Sequence, residues 1–197
     1  MIADTSIVLA SRSARRETLL KNAGIPFEVF FPDASEELEE DESATSACTR
    51  LAERKAESVA CRCPQNLVLG ADTVVCLEDQ ILGKPASQVG AADMLDRLSG
   101  RKHRVVTGVS LQHRDAVFYH SWYTVTDVYF KRLSDADIQR YLSEVYTLDK
   151  AGAYAIQEKG DMLVDEIDGL RSNVIGLPIE EVVACLQKNG YVNAGQQ

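Results

Sequence analysis

The chain has 197 residues, 45% of them hydrophobic and 26% charged; that supports a packed core in one two-lobed domain or two small ones, and excludes a disordered chain. Its net charge of −9 argues against non-specific nucleic-acid binding, which needs Lys and Arg to replace counterions along phosphates, and against docking on anionic membranes. An anionic substrate would need positive charge gathered locally against this background.

The first element in chain order is a short β-prone run, Ile7 to Ala10, broken by Ser11-Arg12-Ser13. A helical pattern follows, with Leu19, Leu20 and Ala23 on one face and Gly24 as its stop. Phe27 to Phe31 reads as a second strand, and Asp33 to Glu42 as an acidic exposed loop. A second helix is expected from about Ser43 to Ala60, then a buried strand from Leu67 to Ala71. Val74 to Leu77 and Gln80 to Leu82 flank Glu78-Asp79 as a hairpin. A helix over about Gln88 to Leu98 ends at Gly100. Long β-prone segments follow, His103 to Gln112 and Val117 to Phe130, then a helix from Asp135 to Leu142, further β-prone pieces and a last helix from Ile179 to Leu186. Alternating elements early and adjacent strands late predict a mixed α/β architecture.

The five cysteines, at positions 48, 61, 63, 76 and 185, show no C-x-x-C spacing and read as reduced thiols. The polar start, Met1 to Ser6, and the short apolar run after it do not make a signal peptide, and no apolar stretch is long enough to span a membrane. The expected place is the cytoplasm.

Four features carry chemistry. Ser11-Arg12-Ser13-Ala14-Arg15-Arg16 lies at a strand–helix junction. Arginines beside the positive end of a helix dipole are unfavourable alone but suit a phosphate held there by amides, hydroxyls and guanidinium forks. The alternative is a capping serine followed by solvated arginines. Arg16, one turn before Leu19 and Leu20, points toward the body of the protein. Lys55 falls on the apolar stripe of the second helix, four residues after Leu51; there it either snorkels or faces an anion. Asp72, in Gly70-Ala71-Asp72-Thr73, sits at a strand end between apolar runs and either caps a turn or serves as metal ligand or general base. Lys84, between Gly83 and Pro85, lies on a stiff turn, at the surface or facing the site. The acidic run from Glu36 to Glu42 reads as mostly solvated, Arg101 to Arg104 as cations at a helix C-terminus, and Asp127 as structural. The three histidines lack zinc spacing.

In order, these segments resemble the Maf family of nucleotide pyrophosphatases over nearly the whole chain. Leu9 to Arg16 resembles its L-A-S-x-S-P-R-R, and Glu36 fits the acidic pair after the second strand. Leu51 to Ala56 resembles L-A-x-x-K-A, Gly70 to Thr73 the G-A-D-T segment, and Gly83-Lys84-Pro85 the G-K-P turn. Leu98-Ser99-Gly100 and Val106 to Val109 fit the middle, Asp149 to Gln157 resembles D-K-A-G-A-Y-x-I-Q, and Gly176-Leu177-Pro178 closes the set. The resemblance implies one unit over residues 1–197. Its fold would be an elongated, twisted mixed sheet with flanking helices, forming two lobes around a cleft, akin to the inosine-triphosphate pyrophosphatases.

The resemblance also implies hydrolysis of a nucleoside triphosphate to the monophosphate and pyrophosphate, with a divalent cation, Mg2+ or Mn2+, and a homodimer. It makes Asp72 the proton acceptor that activates water, and Glu36 and Asp72 the metal ligands. Ser11, Arg15, Arg16, Lys55 and Lys84 would grip the phosphates, and Thr73 and Gln157 would help choose the base. Arg15 with Thr73 and Gln157 resembles the group acting on dTTP and UTP. The rival substrates are 7-methyl-GTP and deaminated purine triphosphates; the rival class is a nucleotide-binding regulator of cell division with little turnover. Two departures stand out. Ala14 replaces the usual proline at the first helical position, which loosens pre-organisation, and Arg12 stands where a small or polar residue is common.

Overall fold

A computed structural model describes residues 6–192 of the chain; the polar start before Ser6 lies outside them. Seven strands form one mixed sheet in the order β2-β1-β3-β5-β6-β7, with the short β4 paired to β3. The strands are β1 (Ile7–Ala10), β2 (Phe27–Phe30), β3 (Leu67–Leu77), β4 (Gln80–Leu82), β5 (Lys102–His113), β6 (Phe118–Phe130) and β7 (Val164–Asp168). The helices are α1 (Ala14–Asn22), α2 (Ala44–Ala60), α3 (Gln88–Leu98), α4 (Asp135–Glu144), α5 (Arg171–Ile175) and α6 (Ile179–Lys188). Among the described residues no helix is long and apolar enough to cross a membrane.

The expected alternation of strand and helix gives a parallel β2-β1-β3 end, and the adjacent strands that follow give antiparallel ladders. The β-prone pieces expected between the fourth and last helices resolve into two short 3-10 turns, β7 and α5. Two further expectations are corrected. Leu67–Leu77 is one unbroken strand, so Asp72 is not at a strand end: it sits within the ladder opposite Gly108, with Thr73 opposite Thr107. The basic run after Gly100 does not cap a helix. Lys102 to Arg104 open β5, Lys102 pairs with Asp127, and His103 is buried.

Alternate residues of a strand face opposite sides, and the two faces carry separate cores. Leu67, Leu69 and Ala71 of β3 pack with Leu20 of α1 and Val182 and Leu186 of α6. Val68 on the other face packs with Ala56, Val59 and Ala60 of α2. A third cluster joins the far halves of β3, β5 and β6 to α3 and α4. Glycine sets how closely α2 approaches. A Cβ at Gly108 would lie 2.3 Å from the Cys48 carbonyl carbon, and one at Gly70 would lie 2.4 Å from the Ala52 oxygen. Helix α2 therefore lies directly on the sheet backbone, and that contact delivers its Lys55 to β3.

Pairing leaves a gap in the sheet. The whole run from Val68 to Cys76 pairs with β5 along one edge of β3. On the opposite edge, β1 covers Leu67 to Gly70 and β4 covers Val75 to Leu77. Among the described residues no strand pairs with Ala71 to Val74 on that edge. The Ser11 turn leaves the end of β1 and the Lys84 turn leaves the end of β4, so both border the gap. The crevice beyond the carboxyl end of a parallel strand is the usual ligand position in open α/β sheets.

Candidate active site

Asp72 and Thr73 fill the gap and point to opposite faces of β3. On the α2 face, Lys55 is buried; its Nζ lies 2.6 Å from Asp72 Oδ1 and 2.6 Å from Glu36 Oε1. Lysine on the apolar stripe thus does not snorkel to solvent but neutralises a carboxylate in the sheet. The Asp72 side chain is 13% exposed and that of Glu36 55%. Lys84, also exposed, is 3.6 Å from Glu36 Oε2. The Lys55 hydrogen bond holds the Glu36 carboxyl below the usual carboxylate range.

On the other face, Arg16 is 8% exposed. Its Nε donates to the Gly176 carbonyl at 2.7 Å, Nη1 to Ser11 Oγ at 3.3 Å and Nη2 to Thr73 Oγ1 at 3.1 Å. All three acceptors are neutral, and among the described residues no carboxylate lies in ion-pair contact with this buried cation. Burial accordingly pulls the guanidinium below its ordinary value, with the Asp72 charge acting the other way. A guanidinium carries five N–H donors, so donors remain for a ligand.

The α1 terminus is similarly open. Ser43, Ser87 and Ser134 each cap their helix through the side chain. Ser13, at the head of α1, makes no side-chain cap bond; its own amide donates to Ser11 Oγ at 3.1 Å. The capping-serine alternative therefore fails here, and a helix end with uncapped amides beside a buried arginine suits an anion. Arg15 is partly buried, with Nη1 4.0 Å from Asp149 Oδ2. Arg12 is exposed over the Phe31 ring.

The structure thus gathers Ser11, Arg16, Thr73, Asp72, Lys55, Glu36 and Lys84 around one gap. Gln157 is elsewhere in contact terms: it is exposed in the turn after Ile156. It lines a surface cavity of about 400 Å³ with Lys159, Asp165 and Arg171, and none of the gathered residues shares that lining.

The family described as Maf-like protein matches residues 6–189. The chain belongs to that family. A dTTP/UTP pyrophosphatase of Geotalea uraniireducens (strain Rf4) is 44% identical over 98% of this chain and 99% of its own. The protein of the same name from Clostridioides difficile (strain 630) is 43% identical over 95% and 97%. That from Akkermansia muciniphila is 41% identical over 94% and 97%. Among solved structures, the Staphylococcus aureus Ham1 protein aligns with a TM-score of 0.52 at 17% identity, covering 94% of this chain and 100% of that one. That likeness places the Maf-like chain in the same mixed, open-sheet fold.

Two carboxylates of this Maf-like protein, Asp72 and Glu36, converge on one point, now held by the Lys55 ammonium. Among the described residues no group of three or more His, Cys, Asp or Glu could hold a metal. Two carboxylates fit a hard cation that takes its other ligands from substrate phosphates and water, the usual Mg2+ arrangement, and not a closed structural site. Sequence reasoning missed the Gly176 carbonyl, Thr107 and Asn173, which reach Arg16 directly or through one or two intervening residues. The motif positions of Thr107 and Gly176 were visible; their partners lie 34 and 160 residues away.

Proposed function

We propose that the protein hydrolyses dTTP and UTP to the monophosphate and pyrophosphate, at the gap in β3 and with a divalent cation. The observation that carries this reading is Arg16, a buried cation whose acceptors are all neutral, set across one strand from Asp72. A triphosphate supplies the missing anion. The names of the relatives at over 40% identity supply the base.

In this mechanism Ser11, the α1 amides, Arg15 and Arg16 bind phosphate oxygens on one side of the gap, and Lys55 and Lys84 bind them on the other. Asp72 Oδ1 accepts from Lys55, which orients the carboxylate and leaves Oδ2 to take a proton from water. The water oxygen forms a bond to the α-phosphorus while the bond from that phosphorus to the bridging oxygen breaks. The proton goes to Asp72, and pyrophosphate leaves with its charge held by the lysine and arginine groups. A divalent cation held by Asp72 and Glu36 would neutralise phosphate oxygens and lower the barrier to attack. Thr73, expected to help choose the base, has its hydroxyl engaged by Arg16 and Thr107, so we assign it to holding Arg16.

The test is monophosphate and pyrophosphate release from a panel of canonical and modified triphosphates, with Mg2+ or Mn2+, beside Asp72→Asn. Release from dTTP and UTP that falls ~10²–10⁴-fold in the folded variant is expected. Release confined to 7-methyl-GTP or a deaminated purine triphosphate would keep the mechanism and reject the base. Binding with no release from any nucleotide would favour a regulator. Near-normal turnover by folded Asp72→Asn would remove Asp72 from its role.

A further inference from the structure

We propose that Thr107 and Asn173, neither of which touches the reacting groups, are positioning residues that fix the direction of the Arg16 guanidinium. The inference rests on the reading of Arg16 as a phosphate ligand. Thr107 is fully buried and lies opposite Thr73 in the β3–β5 register, its Oγ1 3.0 Å from Thr73 Oγ1 and 3.2 Å from the Asn173 carbonyl.

A hydroxyl has one proton to give. The Asn173 carbonyl can only accept, so the Thr107 proton goes there. The bond between the two threonines then uses the Thr73 proton. Thr73 is left to accept from Arg16 Nη2, as its 3.1 Å contact requires. The hydrogen bonds run one way, from Arg16 through Thr73 and Thr107 to Asn173. Without Thr107, the Thr73 proton turns to its second acceptor, the Gly176 carbonyl at 3.3 Å, where it competes with Arg16 Nε.

Asn173 fixes the other acceptor. It is fully buried, and its Nδ2 donates to the Val105 carbonyl at 3.0 Å and to Thr126 Oγ1 at 2.9 Å. Thr126 Oγ1 in turn donates to the Leu170 carbonyl at 3.1 Å. Helix α5 is only five residues long, too short to hold itself. These side-chain bonds pin it to β5 and β6. Its far end is Gly176, with φ +129, a conformation open to glycine, and the Gly176 carbonyl receives Arg16 Nε at 2.7 Å. Two of the three acceptors that orient the guanidinium, the Gly176 carbonyl and Thr73 Oγ1, therefore trace back to Asn173, the third being Ser11 Oγ. An arginine gripping phosphate through a fixed fork depends on that aim.

The test compares kcat/KM for dTTP in Thr107→Val, Thr107→Ser and the wild type, each also in an Arg16→Ala background, with thermal unfolding of every variant. Thr107→Val is expected to lose ~10-fold or more in kcat/KM while staying folded, as small misplacements at a reactive site do. Thr107→Ser keeps the hydroxyl and recovers most of that loss. In the Arg16→Ala background the Thr107→Val cost should vanish, because it acts through Arg16. A folded Thr107→Val with wild-type kcat/KM, or one with an equal cost in both backgrounds, overturns the inference. Should Thr107→Val not fold, Thr126→Val probes the same network from the Asn173 side, and either of the same two results overturns the inference there. Arg16→Ala measured alone separates the premise: if it hydrolyses dTTP like the wild type, the phosphate reading of Arg16 has failed, and this inference with it.

Discussion

Arg16 at the head of α1 and Arg50 in the first half of α2 are both drawn out of solvent, and their surroundings differ in one respect. Arg50 meets a carboxylate. Its Nε donates to Glu42 Oε1 at 2.8 Å and its Nη2 to Glu42 Oε2, a bidentate fork. That bond lifts Arg50 above its ordinary value and pulls Glu42 down to about 2. Among the described residues Arg16 meets only carbonyl and hydroxyl oxygens, and burial lowers it. Guanidinium does not give up its proton in proteins, so the second arrangement keeps a charge that the fold has not neutralised. A structural arginine brings its anion along; this one is left for a ligand to complete.

The difference can be broken by removing each arginine in turn. Arg16→Ala should lower kcat/KM for dTTP by ~10²–10³-fold, the loss typical of one donor to a developing oxyanion. Its stability should stay within about 1 kcal/mol of the wild type, since the loss of three hydrogen bonds to neutral acceptors is offset by removal of a buried charge that has no anion. A folded Arg16→Ala with wild-type kcat/KM would make the two arginines equivalent. Arg50→Ala should do the reverse and destabilise the protein by about 2 kcal/mol in urea unfolding, because Glu42 is left 8% exposed without its fork. Some activity should go with it: Arg50 Nη2 also donates to the Glu37 carbonyl at 3.2 Å, beside Glu36. We expect a loss well under that of Arg16→Ala. A larger one would make the Glu37 tether part of the site.

How far the sequence foretold this contrast depended on distance along the chain. The burial of Arg16 followed from its spacing to Leu19 and Leu20, a local helical argument. The place of Lys55 on the apolar stripe with Leu51 and Val59 was legible the same way, but whether it snorkels or meets an anion was not. Asp72 stands out in the sequence, but its setting does not. Gly70 looks like a turn residue, whereas it is flat strand whose missing Cβ admits α2. The gap opposite Asp72 was invisible because it depends on where β1 and β4 stop against β3. The Arg16 acceptors were invisible for a similar reason: Gly176 reaches Arg16 only after the sheet has closed. Gln157 comes from the family pattern alone, and the structure gives it no bond to the cluster.

A third buried base completes the contrast. His103 is 1% exposed, packed against Phe130 and Tyr154, with Nε2 2.8 Å from the Tyr154 hydroxyl and, among the described residues, no partner for Nδ1. Like Arg16 it has no carboxylate in contact among the described residues, but imidazole can discard its charge, and burial lowers it to about 4. The unfolded chain binds the proton near 6.5, so between pH 6.5 and 4 the unfolded state holds a proton that the native state does not. Stability from the neutral histidine is then complete above about pH 6.5 and falls as pH drops to about 4, by about 3 kcal/mol in all. Glu42, lowered to about 2 by Arg50, acts in a more acidic window: its contribution is present above its unfolded value near 4.5 and is lost as pH falls toward 2. Urea unfolding of the wild type and His103→Gln across pH 4 to 7 should therefore give curves that differ in slope, with the variant flatter. Parallel curves would mean that His103 takes up its proton as readily in the native state as in the unfolded one, and so is protonated in the native state below about pH 6.5. It would then be a second buried cation without an anion, and Arg16 would no longer stand apart.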